Sequence, residues 1–300
     1  MLNQKVILQL PALAKNADSV YDSIVQQTRD AIVSAGYLKV TLGLSGGLDS
    51  ALVAAIAVDA LELEGISSCQ VHGLIMPSCW NSKQSLVDAE ILSRNLEIST
   101  KTLDIMPTYE AISDTLAPAF MGHDKDVTEE NIQARIRGLF LMALSNKLDW
   151  LVLAPSNKSE SVVGYTTLYG DMVGAFAPLA PLYKSWVYEL ARLRNKRAGF
   201  DLIPESILKK APSAELAPDQ TDAATLGPYD DLDALIYELE VLTGGNLDDL
   251  SEDCAVESLG QYFDPSYVRR IAGMIKRASY KRLQACPSAV LPRGLDLRDR

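Results

Sequence analysis

Residues 43–50 read GLSGGLDS. Ahead of them Leu38, Val40, Leu42 and Leu44 alternate with Lys39, Thr41 and Gly43, the period of a strand. Behind them the small and branched apolar residues from Asp49 to Leu63 read as a mostly buried helix. The octet is therefore a strand-to-helix turn, and its chemistry depends on Ser45. As Gly43-Leu44-Ser45-Gly46-Gly47 it matches G-x-S-x-G, the strained elbow that exposes a nucleophilic serine. As a glycine-rich turn it is a cradle whose backbone N–H groups face an anion before a helix N-terminus.

A hydrolase elbow needs an acid and then a histidine further along the chain. The two histidines, His72 and His123, both lie in the first half, and a single strand precedes the elbow. The cradle reading is favoured. No lysine follows the second glycine, so the turn is not a Walker A loop, and Ser45 occupies the second glycine position of G-x-G-x-x-G. What distinguishes it is Asp49 and Ser50 on the first helical turn. An acid there would repel bare phosphate, and makes sense if it holds a divalent cation that bridges phosphate oxygens.

The pattern outward from this turn gives the fold class. Residues 18–35 carry a helical apolar stripe that Gly36 stops. Val71 to Met76 reads as a second strand, Ser82 to Leu96 as an amphipathic helix and Ile98 to Ile105 as a third strand. A long helix is expected from Thr128 to Lys147, opened by Thr128 and Asn131, and then a strand from Trp150 to Leu153. Strands alternating with helices imply an α/β fold with a doubly wound parallel sheet, which binds ligands at the C-terminal edge of its strands. Beyond residue 155 glycines and prolines mark long loops, with helices expected near 185–197, 230–242 and 265–282. We divide the chain into an N-terminal segment 1–17, one domain 18–290 with helical C-terminal elements, and a tail 291–300.

The formal charge of −11 argues against nucleic acid or an anionic membrane as partner. The longest apolar run, Ala51 to Ala60, is broken by Asp59 and is too short to span a bilayer. The four cysteines show no C-x-x-C spacing and no disulfide density, and no signal peptide is seen, so a cytoplasmic protein is expected.

Ser45-Gly46-Gly47-Leu48-Asp49-Ser50 resembles the loop of the N-type ATP pyrophosphatases, which cleave ATP to AMP and pyrophosphate while adenylating a substrate. Four further stretches narrow the resemblance to the NAD synthetases: VTEENIQARIRGLFLMALSNK, LVLAPSNKSESVVGYTTLYGDM, IPESILKKAPSAELAPDQTD and SYKRLQACP. The resemblance implies an adenine nucleotide alpha hydrolase-like, Rossmann-like fold. It also implies a ligase that adenylates the nicotinate carboxylate of deamido-NAD with ATP and Mg²⁺, after which ammonia displaces AMP.

Carried onto this chain, the family pattern puts the ATP phosphates on Gly43, Leu44, Ser45, Gly46, Gly47, Leu48, Asp49 and Ser50. It makes Asp49 and Glu160 the Mg²⁺ ligands, and Lys184 a lysine that contacts ATP phosphate. Leu74 and Met76 would face the adenine, and Ser213 stands where the family often has a hydroxyl near the phosphates. Asn131, Arg135, Glu160, Tyr280 and Lys281 match positions that bind deamido-NAD. Arg137 is equally basic and less well placed, whereas Arg282, Lys158, Lys209 and Lys210 would add local positive charge. Pro155 stands where many relatives have an ATP-contacting threonine, and Leu168 where ammonia-dependent relatives often carry a lysine.

The stretch TTLYGDM is more like the synthetase half of the glutamine-dependent enzymes, yet residues 1–17 are too few for a glutaminase. Ammonia is therefore the expected nitrogen donor, with a separate glutaminase or a larger parent protein left open, and a homodimer is expected. Another carboxylate-adenylating member of the loop class, or an ATP-sensing module without turnover, are the competing readings.

Overall fold

Four short strands set the frame of the computed structural model, which describes residues 8, 10–13, 16–218 and 220–292. They are β1 (Val40–Gly43), β2 (Val71–Ile75), β3 (Ser99–Thr102) and β4 (Leu151–Val152), all parallel, in the order β3-β2-β1-β4. β1 is central, with Val40 opposite Val71 on one side and Leu151 on the other. Its Val40, Thr41 and Leu42 are fully buried, as expected of a parallel strand covered on both faces. The chain reverses direction across the sheet at β1, because β2 and β3 lie to one side and β4 to the other. That is the switch point where open α/β sheets form their ligand crevice. The doubly wound α/β reading stands.

On one face α1 (Ala17–Ser34) and α2 (Leu48–Glu62) pack together. α2 is apolar almost all round, and Leu52, Ile56 and its alanines are completely buried. The exception is Asp59, which accepts two bonds from Arg194 at 2.9 and 2.8 Å and one from Tyr21 Oη at 2.6 Å. α3 (Lys83–Asn95) follows β2, capped by Ser82, whose hydroxyl accepts the Ser85 N–H at 3.1 Å.

The other face is covered by α4 (Met106–Leu116), which the sequence pattern did not reveal, and α5 (Val127–Leu148). Leu74, Met76, Ile105, Ile132, Ile136, Leu141, Trp150 and Val152 form a second core there. α5 starts earlier than expected. Its cap is Asp126, not Thr128: Asp126 accepts the Thr128 N–H at 2.7 Å while Glu129 accepts the Asp126 N–H at 2.8 Å, a reciprocal capping box.

The irregular half is held by short elements: α6 (Lys158–Val163), α7 (Lys184–Ala198), α8 (Glu205–Lys209), α9 (Asp222–Leu226), α10 (Tyr229–Leu242), α11 (Glu252–Leu259), α12 (Pro265–Arg277) and α13 (Ser279–Arg282). The helix expected over 265–282 is thus broken at Ala278. Arg282 takes the Ile275 carbonyl released there at 2.7 Å and also holds the Val162 carbonyl of α6 at 3.0 Å. Isolated parallel bridges, Leu153 to Phe176 and Ala177 to Ser288, extend the β4 edge and fix the loop after α6. Of the proposed terminal segments, Leu13 is buried and Pro11 O accepts the Trp186 indole N–H at 2.8 Å. Residues 1–7, 9, 14, 15, 219 and 293–300 lie outside the described residues. Among the described residues no helix is long and apolar enough to cross a membrane.

Candidate active site

The glycine turn leaves β1 and enters α2 with Gly46 at φ 74°. A Cβ on Gly46 would lie 2.1 Å from the Ser85 carbonyl oxygen, so the α3 N-terminus is pressed against the back of the turn. Two hydroxyls tie it internally. Ser50 Oγ donates to Gly47 O at 3.0 Å and accepts the Ser45 N–H at 3.3 Å. Ser45 Oγ accepts the Gly47 N–H at 3.2 Å and sits 3.1 Å from Ser50 Oγ. The partners of Ser45 are thus a hydroxyl and a backbone amide. His72 is stacked on Trp150 instead, ring centroids 3.9 Å apart. The geometry is that of a backbone cradle and not of a serine poised on an imidazole.

Three helix N-termini converge in front of this cradle. Asp49 lies on the first turn of α2, Glu160 on the first turn of α6 and Lys184 at the start of α7. Lys184 Nζ bonds Asp49 Oδ2 and lies 3.2 Å from Glu160 Oε1. Asn157, the buried cap of α6, accepts the Glu160 N–H at 3.0 Å and donates to Asp49 Oδ1 at 3.0 Å. Behind them Ser159 bonds Asp233, which accepts the Ser185 N–H at 2.8 Å, locking α6 to α7. Tyr229 Oη lies 3.2 Å from Glu160 Oε1 and 2.9 Å from Asp222 Oδ2, and its ring lies 5.2 Å from Lys184 Nζ.

Two carboxylates therefore share one ammonium, with Asp222 joined to them through Tyr229, in a place largely shielded from water. Burial pushes Glu160 up to about 7; Asp49 and Asp222 add to the rise, against Lys184 and Asn157. Burial alone would lower the Lys184 pKa, but Asp49 and Glu160 outweigh it and hold the ammonium above its ordinary range. Asp222 is also raised by burial, and its Oδ1 is buried without a protein partner. This excess of negative charge is what a divalent cation would relieve. Among the described residues no cluster of three or more metal-ligating side chains is assembled. Two hard carboxylates beside a phosphate cradle nevertheless fit Mg²⁺, which takes one or two protein carboxylates and completes its shell with phosphate and water.

A cavity opens over this constellation. Gly43, Leu44, Ser45, Gly47, Leu48, Asp49, Ser50, Leu74, Met76, Pro155, Glu160, Lys184 and Ser213 all line it. Gly46 shapes it from behind. Leu74, Met76 and Leu141 make one end apolar, the character a purine ring requires.

The four other residues expected at the dinucleotide are not on the wall. Three of them grip the loop 164–171 from outside: Asn131 Oδ1 accepts the Thr167 hydroxyl at 2.6 Å, and Arg135 Nε donates to Leu168 O at 3.2 Å. Lys281 Nζ donates to Gly164 O at 2.8 Å and Thr166 O at 2.6 Å, while Tyr280 is exposed. Of the basic residues, Lys158 pairs with Glu240 and Lys209 with Glu205, both away from the cavity; Lys210 reaches it.

The cavity also holds residues that sequence reasoning missed. Arg137, set below Arg135 from its spacing, lines the wall and donates to Met76 O at 3.0 Å; burial lowers it to about 10. Asp171 is open to the cavity, and its Oδ1 accepts the Thr167 N–H at 2.6 Å. Tyr165, Asp222 and Glu215 line it too. An acid in the glycine-rich stretch 164–174 was a local signal for Asp171; none marked Asp222 or Tyr229.

Against this geometry the comparisons with known proteins are consistent. The NAD synthase family model matches residues 20–285. The chain is 42% identical over 268 residues to a glutamine-dependent NAD(+) synthetase of Thermotoga maritima, covering 89% of this chain and 44% of that protein. It spans about half the length of the curated relatives it matches. An NMN synthetase from Francisella tularensis superimposes with a TM-score of 0.70 at 29% identity, covering 89% of this chain and 95% of that one. An NH3-dependent NAD synthetase from Campylobacter jejuni superimposes at 0.67 and 26%, covering 93% and 99%. With the cradle, the carboxylate pair and the lysine in one cavity, the chain belongs to the NAD synthase family.

Proposed function

We propose that this chain is a ligase that amidates the nicotinate carboxylate of deamido-NAD, using ATP and ammonia and releasing AMP and pyrophosphate. The observation that carries the reading is the Lys184 ammonium set between Asp49 and Glu160 at the mouth of the glycine cradle. A carboxylate is a poor electrophile until one oxygen becomes a leaving group. Its oxygen attacks the α-phosphorus of ATP, the bond to the β-phosphate oxygen breaks, and pyrophosphate departs. Ammonia then adds to the acyl carbon, and AMP leaves with the carboxylate oxygen as a proton is lost from nitrogen.

Each group at the site has a task in that sequence. The first-turn N–H groups of α2, residues 48–50, would face the departing phosphates, and the Lys184 charge stabilises the negative charge that builds there. Asp49 and Glu160 would hold Mg²⁺, whose chemistry is to neutralise phosphate oxygens. The apolar wall of Leu74 and Met76 takes the adenine. Asp171, on the cavity wall, attracts ammonium and can take up the proton lost from nitrogen as the amide forms. Residues 18–290 act as one synthetase domain, in the cytoplasm. The chain pairs as a homodimer, for which exposed Leu139 and Met142, three apart on α5, offer an apolar patch.

The test is NAD formation by the purified chain from deamido-NAD, Mg²⁺–ATP and ammonium. A parallel arm with nicotinate mononucleotide is needed, because Arg135 and Lys281 are engaged within the chain and not displayed on the cavity wall. Faster amidation of the mononucleotide would change the substrate while keeping the reaction. Glutamine freed of ammonium should not replace ammonium, and equal rates with both donors would overturn the nitrogen source. No AMP release with either acid would overturn the activity.

Asp171→Asn should slow amidation by about 100-fold or more, the scale of losing a general base. With free ammonia held constant and Mg²⁺ saturating, the wild-type rate should fall as pH drops through the range where the Asp171 carboxylate takes a proton. The Asn variant should be flat there. A variant profile superposable on the wild type would remove Asp171 from the chemistry.

A further inference from the structure

The loop 210–216, between α8 and α9, forms the cavity wall next to the cradle and contributes Lys210, Ser213 and Glu215 to it. It makes few regular backbone bonds, and one residue carries much of its attachment. Glu215 Oε1 accepts the Ser85 hydroxyl at 2.8 Å and Lys210 Nζ at 2.5 Å, while Oε2 accepts Asn81 Nδ2 at 3.1 Å and the Ser82 N–H at 3.3 Å. Its side chain is 12% exposed. Burial alone would raise its pKa, but Lys210, Asn81, Ser85 and Ser82 outweigh burial and hold the carboxyl below the ordinary range.

Two further observations tie this clasp to the nucleotide end of the cavity. Its anchor, Ser85, is the residue whose backbone abuts Gly46 behind the cradle. Through Asn81 the network continues to Arg137, 3.4 Å away, which holds the Met76 carbonyl at the apolar end. On the loop side the Glu215 N–H donates to Ser213 Oγ at 3.1 Å, and the Leu216 carbonyl accepts Gln133 Nε2 at 2.9 Å. Glu215 also has φ 50°, a conformation that non-glycine residues hold only when their surroundings enforce it, as ligand clamps do.

We infer that Glu215 is a positioning residue for the nucleoside triphosphate, clasping the loop 210–216 against the α3 N-terminus so that the loop completes the cavity wall beside the cradle. The inference rests on reading the cavity as an ATP site. Without the carboxylate, Lys210 keeps only the Ser85 and Ser82 hydroxyls, and the loop spends less time in the closed arrangement. The apparent affinity for ATP then falls by the lost fraction.

The experiment measures equilibrium binding of Mg²⁺–ATP to the full chain for wild type, E215A and the isosteric E215Q, with E205A as control. Glu205 is 50% exposed and pairs with Lys209 away from the cavity. E215A and E215Q should bind about tenfold more weakly, and E205A as wild type. In turnover the KM for ATP should rise while kcat at saturating ATP is retained, since bound nucleotide restores the closed loop. Hydrogen exchange over 210–218 should be faster in both Glu215 variants and slowed by ATP. A purely architectural role would lower the melting temperature and kcat together without this split. Wild-type affinity in a folded E215Q would overturn the inference alone; a wild-type chain that binds no ATP would overturn the reading of the cavity with it.

Discussion

Asp49→Asn and Glu160→Gln each lower the rate of amide formation by about 100-fold or more, the scale of deleting one major electrostatic stabiliser of a departing group. Asp49 and Glu160 reach the same Lys184 ammonium from two different helices, so each variant removes half of the carboxylate pair facing the cradle. The Mg²⁺ concentration needed for half-maximal rate should rise in both. Full activity in either variant, or wild-type turnover in excess EDTA, would refute the metal assignment.

The same substitution at Glu160 has the opposite sign for stability. Its folded-state pKa of about 7 lies above the ordinary carboxylate value, so whatever stability the group adds is present at low pH and lost as pH rises through about 7. At pH 8 without divalent cation the native protein holds this charge against burial and two neighbouring carboxylates, and glutamine removes that cost. Glu160→Gln should therefore melt at or above the wild type at pH 8 in EDTA, at about 2–4 °C per kcal/mol for a chain of this size. The advantage should shrink toward pH 5. A large drop in melting temperature at pH 8 would mean that the lost bond to Lys184 outweighs the relieved charge.

Gly46→Ala should abolish measurable ATP binding and destabilise the fold by roughly 2–4 kcal/mol. The residue has φ 74°, and the added Cβ would meet the Ser85 backbone at 2.1 Å, where neither side can yield without moving the α3 N-terminus. Gly36→Ala is the matched control. Gly36 has φ 79° with open space around it, so it carries the backbone cost alone, about 1 kcal/mol. Calorimetry on both variants, with Mg²⁺–ATP titrated into each, separates the two effects. Equal losses at the two positions would show that the approach of α3 to the cradle is unimportant.

Much of the frame was legible along the chain because it is encoded over short distances. The alternation before Gly43 and the apolar run after Asp49 place β1, α2 and the turn between them within two or three residues. The turn's composition separates a cradle from a serine elbow, and the lack of any histidine beyond residue 123 counts against the elbow. Where local signals competed, details slipped. Thr128 looked like the opening of α5, but Asp126 together with Glu129 makes the stronger reciprocal cap. The run 265–282 is helical in pattern, yet Arg282 folds back onto the Ile275 carbonyl and ends the first helix early.

The sequence by itself determined the parallel α/β class, the glycine cradle and an acid on its first helical turn, since each follows from period and residue type within one segment. Glu160 and Lys184 were placed by resemblance, not by any periodic signal. Only the tertiary structure decided that they meet Asp49 at one point, because three helix N-termini far apart in the chain converge there. It also decided that Arg137 and not Arg135 faces the cavity, and that Asp171, Asp222, Tyr229 and Glu215 stand around it. The last four lie on loops or at helix starts where no period marks a face. Their charges acquire chemical meaning only from burial and from neighbours that no spacing along the chain encodes.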